Sequence, residues 1–245
     1  MKLVAENQNK MSYHFYSGEV LLIDKPLGWT SFQAVNKLKH AIKHHHSFIH
    51  EGQKVKPKIG HAGTLDPLAT GLLIVCTGKK TKEINAFMGL PKEYTGTFFL
   101  GATTPCYDLE KPIDQHFPTE HITNNLITET AKNFVGHQEQ VPPIFSAVMV
   151  NGKRAYALAR AGEEVALKAK PIEIIAFDII GIELPLVHFR VVCSKGTYIR
   201  SIARDFGLAL NSGAHLTALR RTKIGTLDVK NAVSPETFVK QLQTT

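Results

Sequence analysis

Strand-like and helix-like stretches follow one another irregularly along this chain, and that order narrows the folds open to it more than any other feature. The run from Gly18 to Pro26 reads as a short buried strand ended by proline. Thr30 or Ser31 then caps a helix that carries Phe32, Val35, Leu38 and Ile42 on one face. The segment from His40 to Lys58, polar and rich in His and Lys, is expected to be a loop. Small residues and Pro67 between Gly60 and Thr70 indicate an ordered turn, and Leu72-Leu73-Ile74-Val75 a second buried strand. Tyr94, Gly96, Phe98 and Leu100 alternate as in a strand, and Glu120 to Val135 has the spacing of an amphipathic helix. Ile172 to Ile182 and Val187 to Val192 read as neighbouring strands, Thr197 to Leu210 as a helix, Leu216 to Ile224 as a strand and Pro235 to Leu242 as a helix. Strands and helices do not alternate strictly. That argues against a doubly wound parallel sheet and for an α+β fold around a mixed or antiparallel sheet. No internal repeat, low-complexity tract or Pro/Gly-rich linker divides the sequence, so a single domain is expected over its 245 residues.

Charge bears on the partner. The chain has 29 Lys and Arg against 21 Asp and Glu, a formal charge of +8, which favours a polyanion through phosphate contacts and counterion release. The cysteines, Cys76, Cys106 and Cys193, form no CxxC pair, and an odd count cannot close completely into disulfides, which implies a reducing compartment. No apolar run reaches signal-peptide or membrane-spanning length. A cytoplasmic protein is expected.

Two motifs invite readings that fail on spacing. Thr77-Gly78-Lys79-Lys80-Thr81 ends like a phosphate loop, but Gly71 is too distant and Lys80 stands where Ser or Thr is needed. His44-His45-His46 with His50 has neither HExxH spacing nor a cysteine partner, so it reads as a solvated basic loop and no metal is expected.

The most informative stretch is Gly60-His61-Ala62-Gly63-Thr64-Leu65-Asp66-Pro67-Leu68-Ala69-Thr70-Gly71. It resembles the catalytic loop of the bacterial TruB family, the tRNA pseudouridine-55 synthases. Further blocks agree in order and spacing over nearly the whole chain: Leu22 to Pro26 with Gly28 to Ser31, Lys92-Glu93-Tyr94 with Leu100-Gly101, Gln140 to Pro143 with Ser146-Ala147, Ser194 to Arg200, and Leu219-Arg220-Arg221. The resemblance implies a pseudouridine-synthase fold, with a mixed, mostly antiparallel central sheet flanked by helices and loops. It implies one catalytic domain with a core over 18–230. The C-terminal PUA module of longer members is expected to be absent.

By resemblance, the activity is isomerisation of uridine 55 in the T-loop of tRNA, by a standalone enzyme without cofactor or metal; no protein partner is implied, and a monomer is the default expectation. Conversion of uridine to pseudouridine breaks the bond from ribose C1′ to N1, turns the detached uracil and joins C1′ to C5, with no net redox change. A carboxylate suits this chemistry because it can attack the anomeric carbon or remove a proton near it. Asp66 takes that role by resemblance. A carboxylate in a dry pocket tends to become protonated, and a nearby guanidinium lowers its pKa by roughly 1–3 units. Arg200 matches the family arginine that pairs with the catalytic aspartate. Tyr94 resembles the family tyrosine that stacks on the target base, and His61 the histidine that fills the place of flipped bases. Lys25 and Pro26 resemble a block that lines and supports the site, and Tyr198 and Leu219 resemble pocket walls. Lys153, Arg154, Arg220, Arg221 and the lysines up to Lys58 are candidate phosphate contacts. The segment Thr103 to Asp108 departs from many relatives at Pro105 and Cys106 but retains Asp108.

Two other classes compete. A tRNA-folding chaperone would keep the RNA-binding surface with weak or no turnover. A glycosidic hydrolase would normally need a second carboxylate to manage water or the leaving group.

Overall fold

The computed structural model describes residues 13–43, 47, 49–50, 53–54, 56–146, 148–150, 152–160 and 167–243. His44 to His46 and Ala147 lie outside the described residues, as do the side chains of His50 and Arg154. The backbone groups into two compact units, residues 1–92 with 220–245, and residues 93–219.

The first unit opens with strand β1 (Val20–Lys25) and helix α1 (Ser31–Ile42). Thr30 is the N-cap of α1. Its hydroxyl accepts from the Gln33 backbone N–H while the Gln33 side chain accepts from the Thr30 N–H, a reciprocal capping box. The helix buries Ser31, Ala34, Val35, Leu38 and Ile42. Phe32, expected on this face, is instead 69% exposed. The stripe follows the set 31, 34, 35, 38, 42, and position 32 falls about 100° away from 31 on a 3.6-residue turn. The expected loop from His40 to Lys58 is also only partly one, because α1 runs on to Ile42 and a short hairpin follows, β2 (Ile49–His50) with β3 (Gln53–Lys54).

Strands β4 (Ile59–Ala62) and β5 (Ala69–Thr77) come next, so the expected turn from Gly60 to Thr70 starts as strand. β5 pairs antiparallel with β1, Leu22 opposite Ile74, and with β4, His61 opposite Val75. Both faces of this sheet are covered, which explains the unbroken apolar run of β5. Leu21, Ile23, Leu73 and Val75 pack with α1, Tyr13, Phe15 and Phe238. Leu72, Ile74 and Cys76 pack on the other side with Ala62, Ile224 and Leu227. Residues Gly78–Glu83 form a 3₁₀ turn leading into α2 (Ile84–Gly89).

The second unit is built on β6 (Lys92–Leu100), followed by the short pair β7 (Ala102–Thr103) and β8 (Gln115–His116). Helix α3 (Asn124–Asn133) is shorter than expected because Thr123 caps it, its hydroxyl accepting from the Leu126 N–H. Then come β9 (Gly136–Gln140), the small hairpin of β10 (Met149–Val150) and β11 (Lys153–Arg154), and α4 (Ala155–Arg160). The long strands β12 (Lys170–Glu183) and β13 (Leu186–Cys193) form an antiparallel hairpin, as their periodicity predicts. Helix α5 (Ile199–Ala209) precedes β14 (Ala214–Ile224). The sheet order in this unit is β14-β6-β13-β12-β9. Its core is aromatic, with Phe98 stacked on Phe189 at 4.1 Å and Phe177 within 5.5 Å of Phe206.

The last residues of β14 return to the first unit, where the order is β1-β5-β14. β15 (Leu227–Asp228) pairs with β14, and α6 (Pro235–Gln243) places Phe238 against Tyr13 and Phe15. The registered strand pairs are antiparallel, with one parallel bridge between Ile23 and Val233. The fold is therefore α+β with a mostly antiparallel sheet, as expected. Among the described residues no helix is long and apolar enough to cross a membrane.

Candidate active site

Asp66 lies on irregular backbone between β4 and β5, half-buried, behind the buried Leu65. A loop of small residues has little side-chain packing to hold it, so its position depends on where its backbone groups bond. Ser31, at the first turn of α1, supplies two of those bonds. Its hydroxyl donates to the Leu65 carbonyl at 3.1 Å and accepts from the Leu65 N–H at 2.8 Å. The Gly28 N–H donates to the Pro67 carbonyl at 2.9 Å, and the Ala69 N–H closes a turn on the Asp66 carbonyl at 3.1 Å. The expected helix cap thus falls on Thr30, which leaves the Ser31 hydroxyl free to fasten the loop.

Lys25, at the end of β1, is 0% exposed. Its ammonium donates to the Trp29 carbonyl at 2.5 Å, to Pro26 at 2.9 Å and to Pro67 at 3.4 Å. Burial pushes its pKa down to about 8; attraction to Asp66 opposes this and the Arg221 guanidinium adds to it. Lys25 is thus a buried cation within electrostatic reach of the candidate carboxylate, and Pro26 lends it an acceptor. His61 on β4 is pushed below the usual histidine range, first by burial and then by Arg221, which keeps its ring neutral at pH 7.

Arg221 was read from the sequence as a phosphate contact. The structure corrects this, since the residue is only 1% exposed and its guanidinium turns inward. It donates from Nε to the Leu72 carbonyl at 2.8 Å and from Nη2 to the Gly63 carbonyl at 2.9 Å. Arg220 alternates to the opposite side, pairing through both amino nitrogens with Asp24 at 3.0 and 2.7 Å.

In the second unit, Arg200 and Tyr198 mark the start of α5. The Gln140 side-chain amide holds Tyr198 from both sides, accepting from its N–H at 2.8 Å and donating to its carbonyl at 3.1 Å. Arg200, 5% exposed, donates to the Cys106 carbonyl at 3.3 Å and the Phe145 carbonyl at 3.0 Å, and its Nε lies 3.6 Å from Asp108. Asp108 is buried too and accepts from the Glu110 N–H. Tyr94 is buried on β6, next to Glu93, whose carboxylate is gripped by Arg190 at 2.6 and 2.9 Å. Leu219 is half-buried on β14.

The first unit therefore brings Lys25, Pro26, His61 and Asp66 around one loop, and the second holds Tyr94, Tyr198, Arg200 and Leu219. Sequence reasoning missed Ser31 as a loop anchor, Gln140 as the clamp on Tyr198, and the inward turn of Arg221. Their acceptors are main-chain carbonyls, which every residue carries and which leave no signature in a sequence.

Residues 51–199 match the TruB family pseudouridylate synthase (N terminal domain), and residues 200–244 match the tRNA pseudouridylate synthase B C-terminal domain. The chain is 60% identical to the tRNA pseudouridine synthase B of Flavobacterium johnsoniae, over 94% of this chain and 98% of the relative. It is 55% identical to the tRNA pseudouridine synthase B of Phocaeicola vulgatus, over 94% and 95% of the two chains. Among solved structures it resembles a chain of a Cbf5-Nop10-Gar1 complex, with 27% identity and a TM-score of 0.67. That likeness covers 97% of this chain and spans about 60% of the length of the other.

Proposed function

This chain belongs to the TruB family of pseudouridylate synthases, and from that premise we propose that it isomerises uridine 55 in the T-loop of tRNA to pseudouridine. It is an isomerase of tRNA. The observation that carries the reading is 60% identity, across almost the full length of both chains, to a tRNA pseudouridine synthase B.

The balance of the reaction is simple. The C1′–N1 bond of the nucleoside breaks, the uracil turns, the C1′–C5 bond forms, the proton on C5 leaves and N1 takes up a proton, so that product and substrate are isomers. Asp66 acts at the sugar, by attack on C1′ or by removing a proton beside it. The backbone of the loop that carries it is fastened at Leu65 and Pro67, on either side of the carboxylate. Lys25 supplies a fixed positive charge nearby. Reaching the target requires the nucleotide to leave its stack, at a cost of a few kcal/mol. A neutral His61 ring suits the vacated place, because a flat uncharged imidazole stacks without the cost of burying a charge. Tyr94 stacks on the extruded base, worth about 1–3 kcal/mol. Arg200 completes the proposed catalytic set with Asp66 and Tyr94, while Pro26, Tyr198 and Leu219 support the substrate. The enzyme works as a monomer in the cytoplasm, on tRNA alone, with one catalytic domain whose core spans 18–230.

Tritium release from tRNA labelled at uridine C5 tests the proposal. The wild type releases label, and mapping finds pseudouridine at position 55. Asp66→Asn loses release by about a thousandfold or more, as removal of a covalent catalyst does. Binding of tRNA without release by the wild type would favour the chaperone reading, and normal turnover by Asp66→Asn would remove that side chain from the chemistry.

A further inference from the structure

Three features outside the proposed chemistry merit a physical reading: the exposed Phe32, the buried network of Glu93, Arg190 and Asp178, and the inward-facing Arg221. The last is carried furthest by its geometry. A guanidinium is costly to bury, and a fully buried one needs acceptors that repay its lost hydration. Among the described residues, Arg221 finds them in two main-chain carbonyls, Gly63 and Leu72. These two residues bracket the segment that carries Asp66, Gly63 at its entry after β4 and Leu72 three residues past the start of β5 at Ala69.

We propose that Arg221 is the positioning residue of the catalytic loop, a two-point clamp that fixes the distance between its ends and so the place of the Asp66 carboxylate. This rests on the assignment of Asp66 as the catalytic group. A planar fork of N–H donors suits the task because it meets two acceptors in fixed directions, which a single ammonium does not.

A second observation supports the clamp from its other side. Gly71 has φ +102°, and a Cβ there would lie 2.3 Å from the Arg221 carbonyl oxygen and 2.8 Å from its N. The loop exit and the clamp residue are thus in backbone contact, and only glycine permits it. Gly63, at φ +85°, likewise turns its carbonyl toward the guanidinium. The same charge acts on Lys25 and His61, the two basic groups around the loop.

The test uses the full-length protein with Arg221→Lys and Arg221→Met, and reads turnover, KM for tRNA, and folding by circular dichroism. A loop misplaced by about an ångström loses turnover by roughly a hundredfold. The clamp therefore predicts that kcat falls about that far in Arg221→Met, with KM for tRNA changing less than about threefold, and that Arg221→Lys recovers only part of the loss. Should Arg221→Met fail to fold, Arg221→Lys, which keeps the charge, decides the matter. Wild-type kcat in the folded lysine variant overturns the clamp, as does a loss that appears in KM alone. Asp66→Asn in the same assay separates the two ideas. If it is inactive while the Arg221 variants are fully active, the clamp is wrong; if Asp66→Asn turns over normally, the underlying assignment of the carboxylate is wrong instead.

Discussion

Two buried arginines hold irregular backbone in this protein, and they do so on opposite electrostatic terms. Arg200, in the unit formed by residues 93–219, reaches the Cys106 and Phe145 carbonyls and also has a carboxylate, Asp108, beside it. Arg221, in the other unit, reaches the Gly63 and Leu72 carbonyls and has basic side chains for neighbours, adding to the effect of burial in lowering the pKa of Lys25 and of His61. The first charge is neutralised where it sits. The second is balanced by carbonyl dipoles, so its field extends over the Asp66 loop. The two arginines thus differ in how their charge is balanced, by a carboxylate and carbonyl dipoles at Arg200 and by carbonyl dipoles at Arg221.

Breaking the neutralised pair should have the largest effect on stability. Arg200→Met leaves Asp108 buried without that partner and should cost about 3–5 kcal/mol. Urea unfolding measures it, and the double variant Arg200→Met/Asp108→Leu should recover part of the loss. A double variant whose loss equals the sum of those of Arg200→Met and Asp108→Leu would mean that the pair is not coupled.

Lys25 provides the next test, through pH. Its pKa in the folded protein is about 8, against an ordinary lysine value of 10.5. Between those values the unfolded chain holds a proton that the folded one lacks, so stability from this group rises with pH across about 8 to 10.5 and is lost as pH falls through 8. The swing is on the order of 3 kcal/mol. Urea midpoints at pH 7.5 and 10, in the wild type and in Lys25→Met, isolate it, since the variant should lack this part of the slope. Activity has the opposite sense, because deprotonation of Lys25 removes the positive charge near Asp66.

Ser31→Ala removes the hydroxyl that serves both the N–H and the carbonyl of Leu65. The expected cost is about 2 kcal/mol of stability, with lowered kcat at unchanged KM if the loop shifts. Thr30→Ala, one residue earlier, breaks only the capping box and should cost about 1 kcal/mol with turnover unchanged. Equal effects on turnover at the two positions would erase the distinction between a helix cap and a loop anchor.

Much of the fold was legible because it is local. Pro26 ended β1, the alternation of Phe98 and Leu100 announced β6, and the spacing of Val35, Leu38 and Ile42 set the buried stripe of α1. Phe32 was misread because the stripe is centred between Ala34 and Leu38, and a small buried alanine gives a weak hydrophobic signal beside an exposed phenylalanine. Glu120 to Val135 was read too long because apolar residues flank a helix that Thr123 actually starts. Around the candidate site, motif order named Asp66, Lys25 and Arg200, but it gave Arg221 the role of a surface cation.

The sequence by itself determined the family, the irregular order of strands and helices, and the block of residues around Asp66, since these depend on near neighbours and on side-chain identity. Only the tertiary structure decided which way adjacent residues point: Arg220 to Asp24 and Arg221 to the loop, Thr30 to its own helix and Ser31 to Leu65. The reason is physical. A side chain's partners at Gly63 or Leu72 are main-chain carbonyls identical at every position, and folding alone brings them within reach across about 150 residues of chain.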